Sequence, residues 1–276
     1  MGARWLRRLL HGIGLIAVFL FAVFPFYWMV SSSFKTQTDI LASPPLWLFH
    51  PTLANYGQVF ADEKVTRAVL SSLIVAIGST GLSVALAAPA AYALARYEFR
   101  GKADLWFWFI SNRFISPIVL ALPVYIIARG LGILDTHLVL ILIYITFILP
   151  IVVWITTDYF RSIPKELEEA ARIDGASHFQ AMWRIVLPLC TPGFISAGIF
   201  AFTLAQNEFL YALIFLTKTD VRTVPVGAIA ELIRGDVFYW GQLMAAALLG
   251  SVPVAIIYSF FVEHYVAGLT AGSVKG

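Results

Sequence analysis

Long apolar runs alternate with short polar stretches along the whole chain. Six runs are long enough to cross a bilayer, which takes about 20 predominantly apolar residues. They lie near 11–32, 68–95, 104–129, 137–160, 190–217 and 242–265. Each contains proline: Pro25, Pro89, Pro117 with Pro123, Pro150, Pro192 and Pro253. Neighbouring helices in a bundle re-satisfy the backbone groups that proline frees, so such kinks are tolerated. The second run carries Gly78, Gly81 and a series of alanines from Ala85 to Ala93. Small residues of this kind let helix backbones approach closely, and close packing is the expectation there. The pattern predicts an all-α integral membrane protein of six transmembrane helices, forming one domain over 1–276. No internal repeat, low-complexity tract or soluble domain interrupts it.

The longest polar interruption in the second half is 161–189, RSIPKELEEAARIDGASHFQAMWRIVLPL. It reads as two short helices joined by a tight turn. Pro164 suits a first helical position. Glu166, Glu168 and Glu169 crowd the first turns, where the helix dipole favours acids. Ile163, Leu167, Ala170 and Ala171 share one face at helical spacing. Gly175 fits a helix stop and Ser177 a cap for the next helix. Phe179, Met182, Trp183 and Val186 then fall at i, i+3, i+4 and i+7. Pro188 is expected to break this second helix. A helix pair lying along a membrane surface and a docking site both fit this periodicity.

Composition agrees with the runs. The 276 residues are 60% hydrophobic and 13% charged, whereas a soluble domain is about 45–50% apolar and about 25% charged. Arg4, Arg7 and Arg8 before an apolar stretch mimic a signal peptide. That stretch is longer than a usual apolar region of about 7–15 residues and five more follow, so it is read as a retained first span. The single cysteine, Cys190, excludes an internal disulfide. The net charge of +3 needs no nucleic acid, because the basic residues lie at the ends of apolar runs. With the N-terminus inside, the inner stretches hold eleven Lys and Arg and the outer ones seven. This bias places both termini and the 161–189 loop in the cytoplasm. The outer stretch 33–67, with Trp47, Phe49, Tyr56 and Phe60, reads as either a lid or a plain connector. The aromatics Phe238, Tyr239 and Trp240 in the outer stretch 218–241 read as interface anchors.

The inventory does not support catalysis. His11, His50, His137, His178 and His264 are scattered, without metal-ligand spacing. There is no G-x-S-x-G elbow, and no glycine-rich loop precedes Gly101-Lys102. The polar residues inside the spans say more. Asn112 and Arg113 lie about nine residues into the third span, roughly 13 Å at 1.5 Å per residue. Gln206, Asn207 and Glu208 lie about as deep in the fifth. A charge at that depth costs about 2.5–3.5 kcal/mol if it faces lipid. Arg113 and Glu208 are therefore expected to pair, to line one pathway, or to form a structural clasp. Three consecutive residues fan over roughly 200° of a helix, so Gln206, Asn207 and Glu208 do not all face one pore. Tyr125, Tyr144 and Tyr211 could stack on sugar rings, and packing is their commoner role.

Glu169-Ala170-Ala171, Gly175, Ile185, Leu187 and Pro188 together resemble the EAA loop of ABC-importer permeases, E-A-A-x3-G-x9-I-x-L-P. Every fixed position of that pattern is present. Further stretches are similar to the carbohydrate, maltose-transporter branch of that family. These are Ala93-Leu94-Ala95-Arg96-Tyr97 with Phe99-Arg100-Gly101-Lys102, then Asn207-Glu208-Phe209, and the tail from Gly268 to Gly276. The resemblance implies a type I ABC importer permease fold in the cytoplasmic membrane. It implies a second homologous permease, two cytoplasmic ATPase subunits carrying ATP and Mg, and an extracytoplasmic sugar-binding protein. This chain itself would hold no cofactor. Glu169, Ala170, Ala171, Asp174, Gly175, Ile185, Leu187 and Pro188 would form the ATPase-coupling loop. Gly268, Leu269, Thr270 and Gly272 in the tail over 266–276 would reach toward the ATPase. Asn112, Arg113, Gln206, Asn207 and Glu208 would be the candidates for the substrate pathway. The competing readings are a stand-alone secondary transporter, driven through Arg113 and Glu208, and a permease for a non-sugar solute such as a polyamine.

Overall fold

The computed structural model describes residues 2–234 and 237–271, with side chains described from Leu10 to Phe261 apart from residues 113, 231 and 234–237. Its contacts divide the chain into two units, Met1–Thr66 with Ala228–Ser251 and Arg67–Gly227 with Val252–Gly276.

The first unit opens with the Gly2–Ser33 helix. Its apolar part, Leu10–Ser33, is long enough to span a membrane, and its side chains stay largely exposed until Ser31. The following stretch is packed. Asn55 donates through Nδ2 to the carbonyls of Ser33 at 2.9 Å and Lys35 at 2.8 Å. Lys35 is only 3% exposed. Its Nζ donates to the Leu46 carbonyl at 2.7 Å and lies 4.9 Å from the Trp28 ring and 4.8 Å from the Phe49 ring. Those faces supply the negative potential that a buried ammonium needs. The Ala54–Ala61 helix and the start of the Trp240–Ala271 helix enclose a small core of Val59, Val65, Leu232, Ala245 and Ala246. Two-residue strands, Ile233–Arg234 and Val237–Phe238, pair antiparallel. The apolar pattern did not signal them, and the other described residues form helices and connecting turns.

The second unit is built on the His137–Ser162 helix, which buries Leu140, Tyr144, Ile148, Val152, Val153 and Phe160 completely. The Thr191–Gln206 helix lies against it so closely that a Cβ on Gly193 would meet the Tyr159 ring at 2.3 Å. Gly78 gives the Glu63–Arg96 helix the same freedom, with Ile141 at 2.7 Å from a Cβ built there. This is the close approach expected of the small-residue stripe. Pro89 and Pro150 lie inside their helices as expected.

Among the described residues, four helices are long and apolar enough to cross a membrane unaided: Leu10–Ser33, Glu63–Arg96, His137–Ser162 and Trp240–Phe261. The runs near 104–129 and 190–217 are not continuous. The first divides into Lys102–Ser111, a 3-10 turn at Asn112–Phe114, and Pro117–Gly130. Ser116 precedes a proline and is extended, with ψ 128, because the proline ring disfavours helical backbone one residue earlier. Pro117 therefore starts a helix instead of kinking one. The second divides after Gln206 and resumes at Leu210–Phe215. At the C-terminus the Trp240–Ala271 helix takes in the backbone of Gly268, Leu269 and Thr270, so most of the expected tail is helical; Gly272 lies outside the described residues.

Candidate functional site

The polar loop forms the expected helix pair with three differences. The first helix is Glu166–Ile173, so it begins two residues after Pro164. Pro164 holds Ile163 extended at ψ 128, and that ends the preceding helix. Glu166, Glu168 and Glu169 occupy the first turn. Gly175 turns the chain at φ +92 and donates to the Arg172 carbonyl at 3.0 Å, a left-handed stop that suits glycine. Ser177 caps the next helix in a reciprocal box. Its hydroxyl accepts from the Gln180 N–H at 3.2 Å, and the Gln180 side chain accepts from the Ser177 N–H at 2.9 Å.

The second difference is at Pro188. The chain passes from His178–Ala181 through a π turn at Met182–Val186 into Leu187–Leu189. Proline offers no N–H to the carbonyl four residues back. The wider turn precedes it, as single π turns do inside α-helices. The bend, 72° between His178–Leu189 and Thr191–Gln206, comes after Pro188.

The third difference concerns which side faces inward. The residues expected to share one face divide: Ala171 is buried, Ile163 is half-buried, Leu167 and Ala170 are exposed, and Glu168 is buried beside Ala171. The Tyr92 hydroxyl donates to Glu168 Oε2 at 2.7 Å, and Arg96 Nε donates to Oε1 at 2.5 Å. Arg96 Nη2 donates to the Ile163 carbonyl at 3.0 Å. The Arg96 and Glu168 side chains are 5% and 12% exposed. Burying a carboxylate is costly unless it is paired and hydrogen-bonded; here both oxygens have donors from the end of the Glu63–Arg96 helix. Helical periodicity of apolar residues cannot show this, since it counts Glu168 as outward. The signal was the run of acids, of which only one is needed on the inside.

In the second helix Met182 and Val186 are buried, while Phe179 and Trp183 are exposed with their rings 5.9 Å apart. The loop thus exposes Leu167, Ile173, Phe179 and Trp183, with Ile173 87% exposed. Glu169, Asp174 and Pro188 are also exposed, and Ile185 and Leu187 half-buried.

The candidates for the substrate pathway lie at the two helix breaks. Asn112 is half-buried in the 3-10 turn; the Arg113 side chain lies outside the described residues, and with it the proposed pairing with Glu208. Gln206, Asn207 and Glu208 have three different surroundings, as their fan requires. Gln206 is half-buried, and exposed Asn207 donates from Nδ2 to the Thr203 carbonyl at 2.8 Å. Glu208 is a clasp. It accepts from the Tyr144 hydroxyl at 2.7 Å and from the N–H groups of Tyr211 at 2.8 Å and Ala212 at 3.2 Å. It thereby caps the Leu210–Phe215 helix and ties it to His137–Ser162. Tyr144 and Tyr211 are buried and Tyr125 packs on Phe215 at 5.7 Å, so these rings serve packing. A further cluster escaped the pattern. Asp135, at φ +58, accepts from the N–H of Lys218 at 2.9 Å and from the N–H and hydroxyl of Thr217. Burial raises its carboxyl, but these hydrogen bonds outweigh it and hold the group below the ordinary value.

Residues 83–270 match the binding-protein-dependent transport system inner membrane component family. The chain belongs to this family. Relatives of full or nearly full length agree. The sulfoquinovosyl glycerol transport system permease protein SmoH of Agrobacterium fabrum is 40% identical over 92% of this chain and 89% of its own. The trehalose/maltose transport system permease protein MalG of Thermococcus litoralis is 36% identical over 98% of both chains. The diacetylchitobiose uptake system permease protein DasC of Streptomyces coelicolor is 31% identical, again over 98% of both. The fold is shared with a crystal structure of a bacterial ABC transporter that imports the acidic polysaccharide alginate. There the TM-score is 0.82 at 19% identity, covering 96% of this chain and 98% of the other.

Proposed function

We propose that this chain is one permease of a binding-protein-dependent ABC importer that takes a sugar or related glycoside across the cytoplasmic membrane. It supplies half of the pathway, with six crossings and both termini in the cytoplasm. The two broken runs serve as crossings whose breaks lie inside the bundle, where irregular backbone is tolerated. The partners are a second homologous permease, two ATPase subunits that carry ATP and Mg, and an extracytoplasmic sugar-binding protein. Support for sugar comes from the names of the relatives, which transport sulfoquinovosyl glycerol, trehalose and maltose, or diacetylchitobiose. A related alginate transporter structure contains a periplasmic protein loaded with an alginate pentasaccharide.

The observation that carries the coupling role is the anchoring of Glu168. A loop that transmits force must be rigid on its inner side and free on its outer side. Glu168 fastens the Glu166–Ile173 helix to the end of Glu63–Arg96, and the bent His178–Leu189 segment runs directly into Thr191–Gln206. Leu167, Ile173, Phe179 and Trp183 are left for the ATPase. Closure of the ATPase pair then moves two spans as rigid bodies, and the bundle changes between two arrangements instead of deforming continuously. Glu169, Ala170, Asp174 and Gly175 border the docking side; Asn112, Gln206 and Asn207 stand where a pathway would pass.

The test is uptake of a panel of labelled sugars by vesicles containing this chain and its co-purifying partners. Saturable uptake of one sugar, lost without ATP or the binding protein, is expected. Uptake by this chain alone under a proton or sodium gradient would contradict it.

A further inference from the structure

The C-terminal ends of Glu63–Arg96 and His137–Ser162 border an open pocket of about 340 Å³. Arg96, Arg161, Ser162, Pro164, Lys165 and Glu166 line it. Arg96 is its fixed part. Its Nε and Nη2 are held by Glu168 and the Ile163 carbonyl, and Nη1 has no protein acceptor among the described residues. The Arg161 guanidinium lies 5.4 Å from the centre of the Trp106 ring, and its only ion pair among the described residues is an exposed one to Asp158 at 3.4 Å; such a pair contributes little. Lys165 has no ion pair among the described residues. The nearby acids are Glu168, which neutralises Arg96, Asp158 beside Arg161, Glu98, which is held by Lys102 at 2.7 Å, and Glu166 on the rim. With Arg96 neutralised and the Asp158 pair exposed, Arg161 and Lys165 face the rim carboxylate of Glu166.

We infer that this pocket binds a phosphate group, gripped by Arg161 and Lys165 above the free Nη1 of Arg96. Guanidinium groups match phosphate oxygens in pairs, and an ammonium adds a point charge. Two sources share this chemistry, an anionic phospholipid headgroup and a soluble phosphate ester. The lipid source rests on the cytoplasmic placement of the loop proposed above; the phosphate chemistry does not. Beside Trp106, the Lys102–Ser111 helix exposes Phe107, Trp108 and Ile110, a surface suited to acyl chains. Basic pockets at the cytoplasmic ends of membrane helices take anionic headgroups in this manner. An occupant would also hold Arg96 in place against Glu168, linking the lipid to the coupling loop.

The experiment is native mass spectrometry of the assembled transporter in neutral detergent. The probes are dioleoyl-phosphatidylglycerol, dioleoyl-phosphatidylcholine as the uncharged comparison, and glycerol 3-phosphate. Phosphatidylglycerol retention is expected, weakened about tenfold in Arg161→Gln/Lys165→Gln, equivalent to about 1.4 kcal/mol, and restored toward wild type in Arg161→Lys. Retention without displacement by glycerol 3-phosphate assigns a lipid; displacement or direct binding assigns the soluble ester. Equal retention of phosphatidylcholine, or no change in the double variant, overturns the site. Thermal unfolding of each variant without lipid shows whether it is folded. ATP-driven uptake is followed in parallel in neutral vesicles, so failure of the importer reading is seen separately from failure of the site.

Discussion

Arg96 and Glu168 lie 72 residues apart in sequence, yet Nε of one donates to Oε1 of the other at 2.5 Å where both are nearly buried. The pair joins the end of a membrane helix to the first turn of the polar loop, and the Tyr92 hydroxyl completes it at 2.7 Å. Removing one charge leaves the other nearly buried without its opposite charge. Glu168→Gln is expected to destabilise the folded chain by about 3–5 kcal/mol, the range for breaking a buried pair. Arg96→Gln combined with Glu168→Gln should cost less than Glu168→Gln alone, because neither charge is then stranded. Thermal unfolding in detergent of both single variants and the double variant measures this; a double-variant loss equal to the sum of the two single losses would argue that the pair is not coupled.

The two alanines of the loop should behave differently, because Ala171 is buried and Ala170 is exposed. Ala171→Trp must push the helix off its seat and is expected to lower stability by about 1–3 kcal/mol, as overpacking does. Ala170→Trp adds bulk only on the outer side. It should leave the melting temperature of the isolated chain unchanged while weakening co-purification of the ATPase. Intact co-purification would count against docking through that side.

Helix packing gives a graded test. Gly193→Ala puts a Cβ 2.3 Å from the Tyr159 ring root and should cost about 1–3 kcal/mol. At Gly78 the first atom met is Cδ1 of Ile141, the movable end of a side chain, so Gly78→Ala should cost less. Gly198 has nothing within 4 Å of a Cβ, and Gly198→Ala should be neutral or slightly stabilising in a helix. Melting temperatures in that order are expected, and a loss at Gly198 equal to that at Gly193 would contradict the packing.

The Asp135 cluster predicts a response to pH. Its carboxyl titrates below the ordinary 3.8 because the backbone N–H groups of Lys218 and Thr217 and the Thr217 hydroxyl bind the charged form more strongly than burial disfavours it. A lowered folded value means that the contribution is complete above the unfolded value and is lost as pH falls through the folded one. Protection of the 217–218 amides from hydrogen exchange, corrected for intrinsic rates, should therefore hold at neutral pH and fall below pH 3.8. Asp135→Asn, which tolerates the left-handed backbone, should weaken protection at neutral pH and flatten the dependence. A steady dependence in the variant would assign the effect elsewhere.

Much of this was legible in the chain. The apolar runs gave the long helices, and Gly175 and Ser177 gave the turn and the cap of the loop, because those signals are local. The breaks near Asn112 and Asn207 were hidden by hydropathy, which averages over a short irregular stretch. The proline at 117 marks the first once its effect on Ser116 is considered. Apolar spacing put Ile163, Leu167, Ala170 and Ala171 on one face, and the burial of Glu168, through partners 72 and 76 residues away, divided that face. Periodicity within one helix carries no information about a buried ion pair with another. The same limit hid the capping of Leu210–Phe215 by Glu208, which the sequence left open between a pathway charge and a structural clasp and which is held by Tyr144 and two backbone amides.

In the proposed importer, the loop transmits motion through the Glu168 anchor. The most direct measurement is the ratio of ATP hydrolysed to sugar imported by the complete transporter in vesicles, wild type against Glu168→Gln, at a temperature where both remain assembled. In Glu168→Gln, hydrolysis is expected to persist while uptake falls about tenfold or more, a loss of about 1.4 kcal/mol in coupling. An unchanged ratio, whether both rates are normal or both fall together, would show that the anchor stabilises the loop without transmitting motion.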